Sequence, residues 1–180
     1  MKIFKLLSVL LDYPGDSMLA ALRELAGDDA RALVAGVDDV GVLSEIECRE
    51  VAAFVSTLLE RDTTEAQAEY VQTFDLTAEH SLHLTHHLFG EEKSRGPALI
   101  DLGEFYRSYG LKADEKELPD FLPVILEFVS TLNLDEARVF LADVAKVLKV
   151  LADNLEKSGS SYTPLVRMIE NQGSLARLAA

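Results

Sequence analysis

The chain has 180 residues, 48% of them hydrophobic and 27% charged, which is the composition and length of one globular domain able to bury about 70% of its unfolded surface. Seventeen Lys and Arg against thirty-one Asp and Glu leave a formal net charge of −14, and that excludes a nucleic-acid binder, because phosphates would be repelled before any base was read. A single cysteine, Cys48, excludes a disulfide framework, a Cys-x-x-Cys redox pair and cysteine-based zinc fingers, and makes the reducing cytoplasm the expected compartment.

The first residues, Met1-Lys2-Ile3-Phe4-Lys5-Leu6-Leu7, start like a secretory leader, but Lys5 interrupts the apolar run and Asp12 follows it. No cleavable leader is expected. No stretch approaches the roughly 20 apolar residues of a membrane span, so no stable membrane insertion is expected either.

Taken in chain order, residues 2–12 and 17–26 read as helices around the turn Asp12-Tyr13-Pro14-Gly15, with a short third helix over 29–35. Ser44 followed by Glu47 predicts a capping box, in which each side chain satisfies a free backbone donor. The helix it opens carries the stripe Val51, Phe54, Val55, Leu58 and Leu59. Thr64 with Gln67 repeats the signal ahead of Tyr70, Val71 and Phe74. Leu99, Leu102, Phe105, Tyr106 and Tyr109 form another stripe, closed by Gly110 as a left-handed cap. Asp120 reads as an N-cap, with Pro123 in the first turn of a buried helix through Leu122, Ile125, Leu126 and Val129. Asn133 then caps a long helix striped by Leu134, Ala137, Leu141, Val144, Leu148, Leu151 and Leu155, and Thr163-Pro164 opens the last one. Connectors fall at 36–43, 75–94 and 111–120. The prediction is an all-α fold: one globular domain over 1–180, built of about seven to nine helices.

Enzymatic signatures are missing. The chain has no Gly-x-Gly-x-x-Gly, no Walker loop, no Glu-x-x-His pair, no His-Glu-x-x-His and no nucleophile elbow. All four histidines, His80, His83, His86 and His87, fall within eight positions. Were 80–90 helical, His83, His87 and Glu91 would share a face and could hold zinc. A second reading is a hydrogen-bonded helix terminus or interface.

In order and spacing, Tyr70-Val71-x-x-Phe74-Asp75, Ser81-Leu82-His83-Leu84-x-x-His87, Gly90-Glu91, Arg95-Gly96, Glu117-Leu118-Pro119-Asp120-x-Leu122-Pro123 and Glu127-Phe128 resemble the assembly chaperones (delta subunits) of respiratory nitrate reductase. These NarJ-type proteins belong to the TorD-like helical group of redox-enzyme maturation proteins. The resemblance implies a non-enzymatic, cytoplasmic chaperone. Its partner would be the catalytic subunit of a molybdoenzyme, held by its basic N-terminal segment until molybdopterin guanine dinucleotide is inserted and before membrane docking. No cofactor would be bound permanently, and that cofactor would be touched at most transiently. Where the larger group carries a histidine after its acidic corner, this chain has Phe121.

The resemblance and the stripes together assign a peptide-binding set. Tyr70 and Phe74 would wall an apolar groove, joined by Leu126. Asp75, Glu117 and Asp120, beside Pro119, would meet basic side chains, with His83 and His87 orienting the connector or touching the client. Glu91, Arg95 and Pro123 would form a structural junction, with Arg95 paired to Glu91. Further acidic clusters are Glu65 with Glu69, Glu91 with Glu92, and Asp114 with Glu115. The alternatives are a helical metal-binding protein using the His80–His87 cluster and a cofactor-independent helical scaffold or regulatory domain.

Overall fold

Burial of the predicted stripes organises the chain. In a computed structural model that describes residues 1–90, 92–111 and 117–179, with side chains through Leu175, they become ten α-helices and, among the described residues, no strand. These are α1 (Lys2–Leu10), α2 (Asp16–Ala26), α3 (Ala30–Val37), α4 (Glu45–Glu60), α5 (Thr63–Tyr70), α6 (Leu84–Phe89), α7 (Arg95–Ser108), α8 (Leu122–Thr131), α9 (Leu134–Lys157) and α10 (Thr163–Ala179). The all-α prediction holds, with one helix beyond the expected upper bound. The extra element is α6, six residues inside the predicted connector 75–94, too short to show a period of its own.

Capping signals translated directly where the side chain could reach. Ser44 and Glu47 form the reciprocal box that starts α4, and Asn133 and Glu136 do the same for α9. The predicted cap at Thr64 is displaced. Asp62 caps α5, accepting from the Thr64 amide at 2.8 Å, because its charged carboxylate is a stronger acceptor for the first free donors than a threonine hydroxyl. Asp120 is not the N-cap of α8 either. Phe121 holds that position, and the Asp120 side chain is drawn inward by donors on other segments. Gly110 takes the left-handed conformation expected of it, at φ +79°.

The core is continuous. Ile3, Phe4, Leu7 and Leu10 of α1 meet Leu122, Ile125, Leu126 and Val129 of α8, all essentially without solvent contact. The ion pair of Lys5 with Glu127 bridges the two helices at the surface. α9 and α10 are joined by a short turn and pack along each other as antiparallel neighbours. At Gly173 the backbones are so close that an added Cβ would lie 2.5 Å from the Leu141 carbonyl oxygen. Gln172 pins the same region, donating to the Val42 carbonyl at 2.9 Å and accepting from Arg138 at 3.2 Å.

After α5 the helix continues as one wide π turn, Val71–Asp75, and then a 3₁₀ turn, Ala78–His80. A π turn inserts one residue and so rotates the next stretch of chain to a new heading. Here that carries the chain from α5 across α9 toward α6.

Candidate functional site

The acidic corner 117–120 is a structural knot. Residues 82–84 and 120–122 pair as a single antiparallel bridge: Leu84 N–H donates to the Asp120 carbonyl at 3.0 Å and Leu122 N–H to the Leu82 carbonyl at 2.9 Å. This brings the Asp120 carboxylate, 0% exposed, to the start of α6. There it accepts from the Thr85 amide at 3.1 Å and the Thr85 hydroxyl at 2.5 Å, and its other oxygen lies 3.2 Å from His83 Nδ1. Arg95, in the first turn of α7, donates through Nε to Thr85 Oγ1 at 3.0 Å, with Nη2 3.6 Å from the carboxylate. Burial alone would raise the Asp120 pKa. The hydrogen bonds from His83 and Thr85 outweigh it and hold the carboxyl below its ordinary value. Phe121 stacks on the His83 ring with centroids 5.1 Å apart.

Several predicted roles change accordingly. Asp120 cannot form an acidic rim, because its oxygens face inward and are occupied. Arg95 serves this carboxylate and Thr85; Glu91, its predicted partner, lies outside the described residues, as do Asp114 and Glu115. His83 stands at the N-cap of α6 rather than inside it, so His83 and His87 do not share a helical face at i, i+4. The His87 ring donates from Nε2 to the Ser81 carbonyl at 2.7 Å, and burial lowers its pKa more than that bond raises it. Among the described residues, no group of three His, Cys, Asp or Glu side chains could hold a metal ion.

Tyr70 and Phe74 are interior, at 4% and 6% exposure, and do not wall a groove. The π turn swings Phe74 onto Tyr162, centroids 4.8 Å apart, and onto Tyr70 at 5.0 Å. The Tyr70 hydroxyl donates to the Leu11 carbonyl at 3.2 Å, and burial raises its pKa. Leu126 and Pro123 are likewise buried. Asp75 and Glu117 are exposed, and His83, His87 and Pro119 are half-buried. The predicted set therefore separates into a buried frame and a few surface groups. A cavity of about 250 Å³ does adjoin the aromatic cluster, between α4, α5 and the start of α10, but its Glu69 is already paired with Arg61 and with Ser161.

The concave acidic surface lies elsewhere. α7, α8 and α9 enclose a groove of about 340 Å³ floored by Phe105, Tyr109, Phe128 and Phe140, with Val139 beside them and Asp135, Glu136 and Asp143 along the edge. Sequence reading recognised the aromatic stripe of α7 and the period of α9 but did not bring them together. The available signal was the spacing Asp135, Val139, Asp143, an apolar residue exposed between two acids on one helical line.

Comparison with known proteins gives the family. Residues 44–167 match the family described as nitrate reductase delta subunit. The chain belongs to that family. Its relatives include the nitrate reductase molybdenum cofactor assembly chaperone NarJ of Escherichia coli K12, 33% identical over 91% of this chain and 66% of the relative. The probable nitrate reductase molybdenum cofactor assembly chaperone NarJ of Bacillus subtilis 168 is 32% identical over 92% of this chain and 85% of the relative. The nitrate reductase-like protein NarX of Mycobacterium tuberculosis H37Rv is 30% identical over 96% of this chain and 24% of the relative. The chain thus spans just under two thirds of the length of the Escherichia coli K12 NarJ chaperone. Among the described residues, no helix is long and apolar enough to cross a membrane.

Proposed function

We propose that this chain is an assembly chaperone for the catalytic subunit of a nitrate reductase, binding that subunit's basic N-terminal segment while the molybdenum cofactor is inserted. It would act in the cytoplasm, before the reductase docks at the membrane, and would catalyse no reaction itself. The observation that carries the reading is membership of the delta subunit family, with similarity to a named assembly chaperone extending over 85% of that relative's length. The net charge of −14 supports it, since an acidic body attracts a basic segment and rejects acidic competitors. In this role the cofactor is the client's cargo, and this chain holds the polypeptide rather than the pterin.

Asp120, Arg95, Thr85 and Pro123 serve this function by fixing the frame. Asp75 and Glu117 remain available at the surface to meet the client, while His83 and His87, half-buried and hydrogen-bonded, orient the connector.

Isothermal titration with a synthetic peptide of the reductase's N-terminal segment tests the reading. Micromolar affinity that weakens as salt rises is the expected result. Absence of heat, together with failure of the intact catalytic subunit to co-purify, would overturn it.

A further inference from the structure

We infer that the groove between α7, α8 and α9 is a docking surface for a cationic amphipathic helix, a seat separate from every residue the sequence singled out as peptide-binding. The inference rests on the chaperone reading for the partner's identity, and on the groove alone for the partner's chemistry.

The floor is built in advance. Phe105 stacks on Phe140 with an interplanar angle of 14° and centroids 5.8 Å apart, and Phe128 meets Phe140 edge-on at 5.0 Å and Tyr109 at 5.2 Å. Rings locked against one another lose little entropy when a ligand arrives. Yet the patch is open: Phe105, Tyr109 and Val139 are 39%, 51% and 63% exposed. Contiguous aromatic surface left uncovered marks an interaction site more often than chance scatter does.

Charge identifies the occupant. Among the described residues, the charged groups lining the groove are Asp135, Glu136 and Asp143, with no lysine or arginine beside them. Asp135 and Glu136 sit in the first turn of α9, where they also complement the helix dipole, and Glu136 is engaged by the Asn133 amide. Asp143 has no such duty. It lies more than two turns into the helix and, among the described residues, takes part in no ion pair, so its carboxylate stands exposed at the edge of the aromatic trough. By contrast the larger apolar cleft between α1, α2 and α3, about 500 Å³, is edged by Lys2 and Lys5, which are paired with Asp39 and Glu127, and among its described lining residues has no carboxylate to meet a cationic ligand.

Spacing sets the ligand's form. Asp135 to Asp143 spans eight helical steps, about 12 Å. A ligand helix laid along α9 would match both ends with Lys or Arg side chains about two turns apart, while apolar residues at i, i+3 or i+4, and i+7 cover the rings. Rim charges would set the encounter rate and the aromatic floor most of the residence time.

Fluorescence anisotropy with three labelled probes tests this: a Leu/Lys amphipathic helix of about four turns, its Leu/Glu counterpart, and the N-terminal peptide of the reductase catalytic subunit. The Leu/Lys probe should bind, and the Leu/Glu probe at least about tenfold more weakly. Val139→Gln, which leaves the charge unchanged, and Asp143→Lys should each weaken the Leu/Lys probe about tenfold. Glu50→Lys, a charge reversal at the α4–α10 cavity, should have little effect. Equal binding by wild type, Val139→Gln and Asp143→Lys, or equal losses from Asp143→Lys and Glu50→Lys, would overturn the groove. If the reductase peptide binds wild type and Val139→Gln alike, the groove falls and the chaperone reading stands. If that peptide binds neither while the Leu/Lys probe behaves as expected, the groove stands and the client assignment falls.

Discussion

Two acidic regions of this molecule use the same residue type in opposite ways. At the start of α6, Asp120 is sealed from water and its two oxygens collect donors from His83, Thr85 and Arg95. Along the α9 groove, Asp135 and Asp143 face solvent beside aromatic rings, and among the described residues neither is ion-paired. A buried carboxylate with matched donors specifies structure, because removing it strands its partners. An exposed one without partners contributes little to the fold and is free to meet a ligand. Position in the sequence misled on this point: in the conspicuous acidic corner Asp120 is internal, and the inconspicuous helix carries open charge.

The contrast can be broken most directly at Asp120. Asp120→Ala leaves His83, Thr85 and Arg95 facing an empty space and should cost about 3–5 kcal/mol, read as a lowered urea midpoint. Acid sharpens the same point. With its folded pKa depressed, the Asp120 carboxylate contributes stability that is fully present above its unfolded pKa, about 3.9, and is lost as pH falls through the folded value. The stability gap between wild type and Asp120→Asn should therefore close on acidification below about pH 4, and a gap independent of pH would remove the charge from the account.

Smaller effects are expected as the probe moves toward the groove. Gly173→Ala forces α10 away from the Leu141 carbonyl on α9, the helix that also carries the groove edge, and should cost about 1–3 kcal/mol by thermal melting. Tyr106→Phe removes the 2.9 Å hydrogen bond from α7 to the Pro119 carbonyl and should cost about 1 kcal/mol in urea titrations. Asp143→Asn should stay within about 0.5 kcal/mol of wild type. A large loss there would mean that this carboxylate, too, is a structural group.

What was legible in the sequence was local. The capping box at Ser44, the cap at Asn133, the left-handed Gly110 and the long stripe of α9 all depend on neighbours within a few positions, and they emerged as read. Contacts between distant segments were not legible. Nothing in the spacing of His83 and Asp120, 37 residues apart, announces the bridge that joins them. Periodicity marked Tyr70 and Phe74 as apolar but could not say whether their stripe faced the core or a cleft, and the π turn decided for the core. α7 begins at Arg95, where the predicted connector 75–94 ends, and carries Pro97 in its first turn, where a missing N–H is tolerated.

One arrangement has mechanical consequences. α7 is clamped at both ends by adjacent residues of a single strip: Arg95 reaches Asp120, and the Tyr106 hydroxyl reaches Pro119. A beam fastened this way cannot slide along its axis without pulling on that strip. The rings it holds over the trough therefore keep their height and tilt, and whatever grips them tugs on the knot.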